Sequence, residues 1–266
     1  QQLAAHAQIF VNDAFGSSHR AHASVAGVTA FMEDSVSGFL LEKEITYLSD
    51  SVNDPKRPFV AILGGAKVSD KISVIQRLLT KVDTIIIGGG MAYTFLATKG
   101  YSVGNSLLEE DKIPMAKALM DQALEAGVNL MLPVDLVIAD DFSNDANRKV
   151  VAADGILDNW ESLDIGPETI KLFSGAITQA KTVLWNGPMG VFEMPNFAVG
   201  TQSIAQALVT ATEQGATTII GGGDSASAIK QAGLSDQVSH VSTGGGASLE
   251  YLEGKELPGL SHLTDK

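Results

Sequence analysis

Cysteine is absent from the 266 residues, which excludes disulfides, thiolate nucleophiles and cysteine zinc sites and leaves the redox compartment open. Histidine is scarce. His6, His19, His22, His240 and His262 are the whole supply, and no two stand four apart as a helical metal pair would, so no structural metal is expected. Positive charge is short as well, with 18 Lys and Arg against 31 Asp and Glu and a net charge of -13. A nucleic-acid or anionic-membrane surface needs distributed basic residues, so neither partner is expected. An anionic small ligand remains admissible, because helix N-termini and a few lysines make a local site whatever the global charge. No apolar run approaches the roughly 20 residues of a membrane span, and no basic-then-apolar leader opens the chain. A cytoplasmic monomer is expected. The chain opens Gln1-Gln2-Leu3 rather than on methionine, which suggests that an upstream segment is missing.

What is present is apolar and glycine-rich. Hydrophobic residues make up 45% of the chain, enough for one large core or two unequal ones. From Lys67 onward β-branched runs alternate with helix-period segments, which predicts an α/β chain: a three-layer, Rossmann-like fold with a mainly parallel sheet. The expected strands are Phe59 to Leu63, Val82 to Ile87, Val128 to Leu132, Val134 to Ala139, Thr182 to Trp185, Thr217 to Ile220 and His240 to Ser242. Val68, Ile72, Ile75 and Leu79 share one helix face, and further helices are expected over 110–126, 166–180, 197–214 and 225–231. An earlier helix is predicted over Ser35 to Val52, with Leu41, Ile45, Leu48 and Val52 on one stripe. Upstream, Ile9-Phe10-Val11 reads as a single buried strand.

Five glycine turns follow strands: Gly64-Gly65, Gly88-Gly89-Gly90, Gly187 to Gly190, Gly221-Gly222-Gly223 and Gly244-Gly245-Gly246. Parallel strands gather such turns on one sheet edge, where glycine N–H groups can point at phosphate oxygens. One turn alone can be a mere tight connection; five favour a ligand crevice. Gly88-Gly89-Gly90-Met91-Ala92-Tyr93 lacks the last glycine of the dinucleotide fingerprint, and Gly64-Gly65-Ala66-Lys67 lacks P-loop spacing, which disfavours a dehydrogenase and a P-loop ATPase. Lys67 and Lys71, four apart near a helix N-terminus, can face one patch and stabilise transferring phosphate, or simply form a solvated face. Asp224 followed by Ser225 is either an N-cap or a hard-oxygen ligand for Mg2+. Asn186 and Glu193 either contact phosphate and ribose or brace their loop. Trp185, Phe192 and Phe197 read as core, and Leu163 as apolar filling or an adenine wall.

The segments Leu63 to Lys71, Trp185 to Glu193, Gly221 to Asp224 and Ser242 to Glu250 resemble phosphoglycerate kinase motifs in that family's order, and Val11 to Gly16 with His19 to His22 resembles its last amino-domain strand and substrate loop. The resemblance covers essentially the whole chain. It implies reversible phosphoryl transfer between 1,3-bisphosphoglycerate and ADP, giving 3-phosphoglycerate and ATP, with Mg2+ as cofactor. By the same resemblance Lys71 steadies the migrating phosphoryl group, Lys67 contacts phosphate, Asp224 holds the metal and Asn186 lies near the phosphates. Glu193 binds ribose, with Gly64, Gly89, Leu163 and Pro188 around adenine and sugar. Gly65, Gly88, Gly190, Val191, Gly222, Gly223 and Ser225 complete the nucleotide set. Arg20 faces the glycerate, supported by His19 and His22. The implied domains are a remnant of the substrate-binding domain over 1–34, an interdomain helix and linker over 35–57, the nucleotide-binding domain over 58–250 and a tail over 251–266 that packs towards the amino-terminal domain. Two departures stand out: Ser225 where threonine is common, and Glu161 where a less acidic, often apolar residue is usual. The expectation for these 266 residues is nucleotide binding without turnover, because most acceptor-binding residues lie upstream in the family. The alternatives are a noncatalytic nucleotide-binding module, a dehydrogenase-like protein, or aggregation through Leu41, Ile45 and Leu48.

Overall fold

The computed structural model describes residues 1–264. Near the start, β1 (Ile9–Asn12) pairs in parallel with β2 (Asp34–Ser37), and Gly38 turns the chain into α1 (Phe39–Ile45), which runs through a π-helical turn, Thr46–Asp50, into the short α2 (Ser51–Asn53). There follow β3 (Phe59–Leu63), α3 (Ile72–Leu78), β4 (Thr84–Ile87), α4 (Met91–Thr98), α5 (Ile113–Glu125) and β5 (Asn129–Met131). Next come β6 (Asp135–Ala139), β7 (Arg148–Ala152), β8 (Glu161–Ile165) and α6 (Pro167–Thr178). The chain continues through β9 (Thr182–Asn186), α7 (Val199–Glu213), β10 (Thr217–Gly221), α8 (Gly223–Gln231), β11 (His240–Val241), α9 (Gly246–Leu252) and α10 (Pro258–Ser261).

Six of these strands form one parallel sheet in the order β11-β10-β9-β3-β4-β5. Side chains alternate across it, so one strand feeds two cores. Phe59, Ala61 and Leu63 of β3 join a core built with α1, α3, α4, α5 and α9, whereas Val60 and Ile62 join the core under α6, α7 and α8. Each fully buried Ile or Leu contributes roughly 1.5 to 3 kcal/mol of transfer free energy. The strand order reverses at β3: the chain runs outward through β4 and β5, then restarts at β9 on the other side. A crevice at the carboxyl ends of β3 and β9 is the geometric result, and it is where open α/β sheets hold ligands.

Three expectations need correction. The strand Val134 to Ala139 does not join the parallel sheet; β6 is the centre of a separate antiparallel sheet, β7-β6-β8, with an irregularity between Val137 and Ile138. Its partners escape a search for β-branched runs because β7 begins Arg148-Lys149 and β8 contains Glu161, Ser162 and Asp164. Second, the helix expected over Ser35 to Val52 starts at Phe39, because Ser35 to Ser37 pair with β1. Gly38 N donates to Asn12 O at 2.8 Å and Leu41 N to Asp13 Oδ1 at 3.0 Å, and a Cβ on Gly38 would stand 2.3 Å from Asp13 Cγ. Third, Leu41 and Leu48 are fully buried and Ile45 packs against the same core, while Phe39 is 88% exposed. Among the described residues, no helix is long and apolar enough to cross a membrane. The segment after α9 is described as far as Thr264; Gly259 N donates to Ser18 O at 2.8 Å, Asn12 Nδ2 to Gly259 O at 2.8 Å and Thr264 N to Ser35 O at 2.7 Å. Residues 265 and 266 of the expected tail lie outside the described residues.

Candidate functional site

The loop after β3 is held by backbone contact with the loop after β9. Gly64 N donates to Asn186 O at 3.0 Å, Gly65 N to Pro188 O at 3.1 Å and Gly89 N to Met189 O at 3.2 Å. A Cβ on Gly64 would come within 2.1 Å of Pro188 O, and one on Gly187 (φ 108°) within 2.2 Å of Gly64 O. The glycines at these turns therefore serve first to bring two loops together. That revises the expectation that their N–H groups point at phosphate: the amides of Gly64, Gly65, Gly88 and Gly89 are all spent on backbone carbonyls. Gly88 lines neither of the cavities described next, and a Cβ there would strike Met189 Sδ at 2.4 Å.

Two cavities meet over this seam. The polar one, about 540 Å³, is lined by Gly64, Lys67, Lys71, Asn186, Gly222, Gly223, Asp224 and Ser225. The more apolar one, about 490 Å³, is lined by Gly89, Leu163, Pro188, Gly190, Val191 and Glu193, together with Tyr93, Leu107, Phe142 and Glu161. Gly65, Ala66 and Asp224 belong to both, so the cavities are continuous. The structure thus divides the expected nucleotide set into a charged compartment and an apolar one.

Lys67 and Lys71 do share a cavity, but not through a helix face. Helix α3 begins at Ile72, and residues 64–71 form a loop. Glu109 pins it, accepting from Ser69 N at 3.0 Å and Ser69 Oγ at 2.6 Å. Desolvation alone would raise the Glu109 acid, yet the hydrogen bonds from Ser69 and Val68 and the charge of Lys67 outweigh it and hold the group below the usual carboxylate range. Lys71 Nζ donates to Asn186 Oδ1. Burial pulls the Lys71 ammonium below its ordinary value against the opposing pull of Asp70, Asp224 and Glu253. Asn186 is 2% exposed, and its Nδ2 finds no acceptor among the described residues. A buried amide donor beside a desolvated ammonium, both on residues that line the polar cavity, is a waiting anion contact.

Asp224 is not an N-cap. Gly222, at φ 86°, holds that position with no side-chain cap, and Asp224 is the second residue of α8. Ser225 Oγ accepts from Gly187 N at 2.6 Å, which braces the β9 loop. Leu163 lies on β8, and its carbonyl accepts from Val191 N at 2.8 Å. Trp185 is core, as expected, with Nε1 donating to Gly187 O at 2.7 Å. Arg20 and His22 are exposed, and neither lines the two cavities. His19 adjoins the polar one: a Cβ on Gly246, which lines it, would lie 3.5 Å from His19 Nε2.

Sequence reasoning missed the supports. Behind Leu163, Asp164 accepts from Gly200 N at 2.8 Å and Ile165 N at 2.9 Å, and burial pushes its acid up to about 7 despite those donors. Glu44 of α1 is fully buried; its Oε1 accepts from Thr243 N at 2.7 Å and Thr243 Oγ1 at 2.8 Å, and its Oε2 lies 2.8 Å from His240 Nε2. Tyr47 stacks on His240 with ring centroids 4.7 Å apart. A signal for Glu44 existed, since it interrupts the apolar stripe between Leu41 and Leu48. Glu109 carries none, its partner being 40 residues away.

Comparison with known proteins identifies the family. The profile of the family described as phosphoglycerate kinase matches residues 1–255. The chain belongs to the phosphoglycerate kinase family. Phosphoglycerate kinase of Chloroherpeton thalassium is 57% identical over 265 residues, covering 100% of this chain and 67% of that protein. The chloroplastic phosphoglycerate kinase of Volvox carteri is 58% identical, covering 100% of this chain and 58% of its own length. The solved phosphoglycerate kinase of Coxiella burnetii superposes with a TM-score of 0.93 at 45% identity, over 98% of this chain and 66% of that one. The chain therefore spans roughly two thirds of the length of these family members.

Proposed function

We propose that the joined cavities bind a magnesium nucleoside di- or triphosphate, and that the whole protein transfers phosphate reversibly between 1,3-bisphosphoglycerate and ADP. The observation that carries this reading is Asn186: a buried side chain whose Oδ1 accepts a hydrogen bond from Lys71 while its Nδ2 has no acceptor among the described residues. Phosphate oxygens would satisfy that donor and balance the Lys71 charge, and the N-terminus of α8 adds backbone donors and a favourable dipole. The apolar cavity would take the nucleoside, with Glu193 accepting from ribose hydroxyls and Leu163 walling the base.

Magnesium fits this donor set as a shared ligand. Among the described residues no three acidic or histidine side chains converge into a self-sufficient metal site. Asp224, common to both cavities, would supply one hard oxygen and the nucleotide phosphates the rest. When bound, the ion would neutralise phosphate charge. Lys71, pinned by Asn186, would steady the phosphoryl group in flight, and Lys67 on its Glu109-braced loop would hold its oxygens. No residue need move a proton, because the acceptor carboxylate is already ionised.

The 266 residues by themselves are proposed to bind nucleotide without appreciable turnover. Arg20 and His22 stand outside the nucleotide cavities, and the positive charge that would orient a glycerate is correspondingly thin there. Calorimetry with Mg-ADP, paired with a coupled 3-phosphoglycerate assay, tests both halves. Failure to bind Mg-ADP would remove the nucleotide assignment.

A further inference from the structure

A third cavity, of about 390 Å³, shares no lining residue with the two that meet over the glycine seam. Strand β8 separates them in sequence: Leu163 walls the nucleoside cavity, and the next two residues, Asp164 and Ile165, line the third. Val150, Val137 and Asp164 form one row across β7, β6 and β8, paired in register, and all three line it. The rest of its apolar wall comes from Pro167 and Ile170 of α6 and Val199 of α7. Val150 and Val199 are 53% and 54% exposed, so apolar surface on two separate elements stands in water here and would be covered by an apolar occupant. The volume is that of a small-ligand site.

The charges around this cavity narrow its ligand. Arg148 opens β7, and alternation along that strand puts it on the face of Val150. In a chain of net charge -13 its guanidinium forms no ion pair among the described residues. Lys149 alternates to the other face, where its Nζ lies 4.3 Å from the Trp160 ring centroid, so it is already engaged. The one carboxylate of the lining, Asp164, is pushed up to about 7 by burial and therefore carries only part of its charge near neutral pH. The helix ends are occupied by protein: Gly200 N donates to Asp164, and Glu168 N and Thr169 N donate to Asp135. A single free guanidinium beside an apolar cavity matches one carboxylate, with its fork of donors, better than a polyphosphate, which needs several cations. We propose that this cavity is a second small-molecule site, for an amphipathic monocarboxylate whose apolar body covers Val137, Val150, Ile170 and Val199 and whose head pairs with Arg148.

The test is titration of the 15N-labelled chain with hexanoate, hexanol and hexylamine, followed by amide NMR shifts, with thermal melts to confirm that each variant is folded. Hexanoate is expected to shift the amides of Val137, Val150, Ile165 and Val199 saturably and to bind about tenfold more tightly than hexanol. Arg148→Ala should remove that advantage and Arg148→Lys should keep part of it. Val199→Asp places an acid on the wall at the first residue of α7, a position that suits a carboxylate, and should weaken hexanoate at least as much. Tighter binding of hexylamine than of hexanoate would assign the recognition to Asp164 and overturn the proposal. So would the absence of saturable shifts at these residues, or an affinity unmoved by Arg148→Ala. Saturating Mg-ADP should leave hexanoate bound; competition between them would put the carboxylate in the nucleotide cavities and overturn the second site. Failure of the chain to bind Mg-ADP would remove the nucleotide reading and leave this result standing. Should a variant fail to fold, the native comparison of the three probes decides alone.

Discussion

Lys71 is desolvated by the loop that carries it and tied to Asn186, yet three carboxylates act on its charge from Asp70, Asp224 and Glu253. Its ammonium is fixed in place before any ligand arrives, which is the condition under which a charge contributes most to holding an anion. We predict that Lys71→Ala weakens Mg-ADP binding by roughly 1.5 to 3 kcal/mol, the range for a hydrogen bond to a charged group. Titration of a variant shown by melting to be folded checks this, and unchanged affinity would return Lys71 to the role of a solvated surface charge. Asp224 has a different signature. With Gly222 at the N-cap, its carboxylate is free of that duty, so Asp224→Ala should weaken Mg-ADP more than metal-free ADP. Equal losses with and without magnesium would argue for a local structural role instead.

Among the elements, α1 and the loop after β11 are joined by Glu44, which binds His240 and both donors of Thr243 in a site with no exposure of its carboxylate. The same loop supplies Gly245 and Gly246 to the polar cavity. Glu44→Ala would leave the buried His240 ring without its partner and untie the Thr243 loop, and we expect a loss of about 3 kcal/mol in unfolding free energy, measured by denaturant titration. The pH dependence has a defined sign. Burial works against the Glu44 carboxylate, but its hydrogen bonds from His240, Thr243 and Ser242 prevail and lower its acid below 4.5 in the folded chain. Its contribution is complete above pH 4.5 and is lost as pH falls through the depressed folded value. Asp164 acts in the opposite sense. Raised to about 7 when folded from an ordinary 3.8, it penalises the fold above pH 7 and lets stability recover as pH falls between those values. Melting temperature should therefore rise from pH 8 towards pH 5, with the Asp164→Ala variant showing a flatter profile in that window; equal slopes for the two proteins would refute the assignment.

At the scale of the molecule, one parallel sheet with a core on each face supplies a crevice that no residue of the two-stranded β1–β2 pair lines. Chain-alone nucleotide binding follows from that independence. We expect Mg-ADP to bind the 266 residues and raise their melting temperature, while 3-phosphoglycerate phosphorylation stays negligible beside that of a full-length family member such as the Chloroherpeton thalassium protein. Turnover comparable with that relative would defeat the second half. Self-association through Leu41 and Leu48 is not the hazard it looked from the stripe alone, since both are buried; the exposed Phe39 and the outward residues of β1 and β2 present the apolar surface instead.

The sequence by itself marked the strands of the parallel sheet and the helices α3, α5, α6, α7 and α8, though not α4 or α9, because a strand buried on both faces is written as a Val and Ile run and a covering helix repeats its apolar residues every three to four positions. It also marked the loops of the crevice, since backbones that approach as closely as Gly64 and Gly187 tolerate no Cβ. Tertiary structure alone decided which of those glycines merely pack, because whether the amides of Gly64 and Gly65 are spent depends on carbonyls more than a hundred residues away. It likewise decided that β6 leaves the parallel sheet for β7 and β8, whose exposed and polar residues carry no run to read. The braces Glu109, Glu44 and Asp164 are decided there too: a buried carboxylate is fixed by donors brought from elsewhere in the chain, and no local spacing records them.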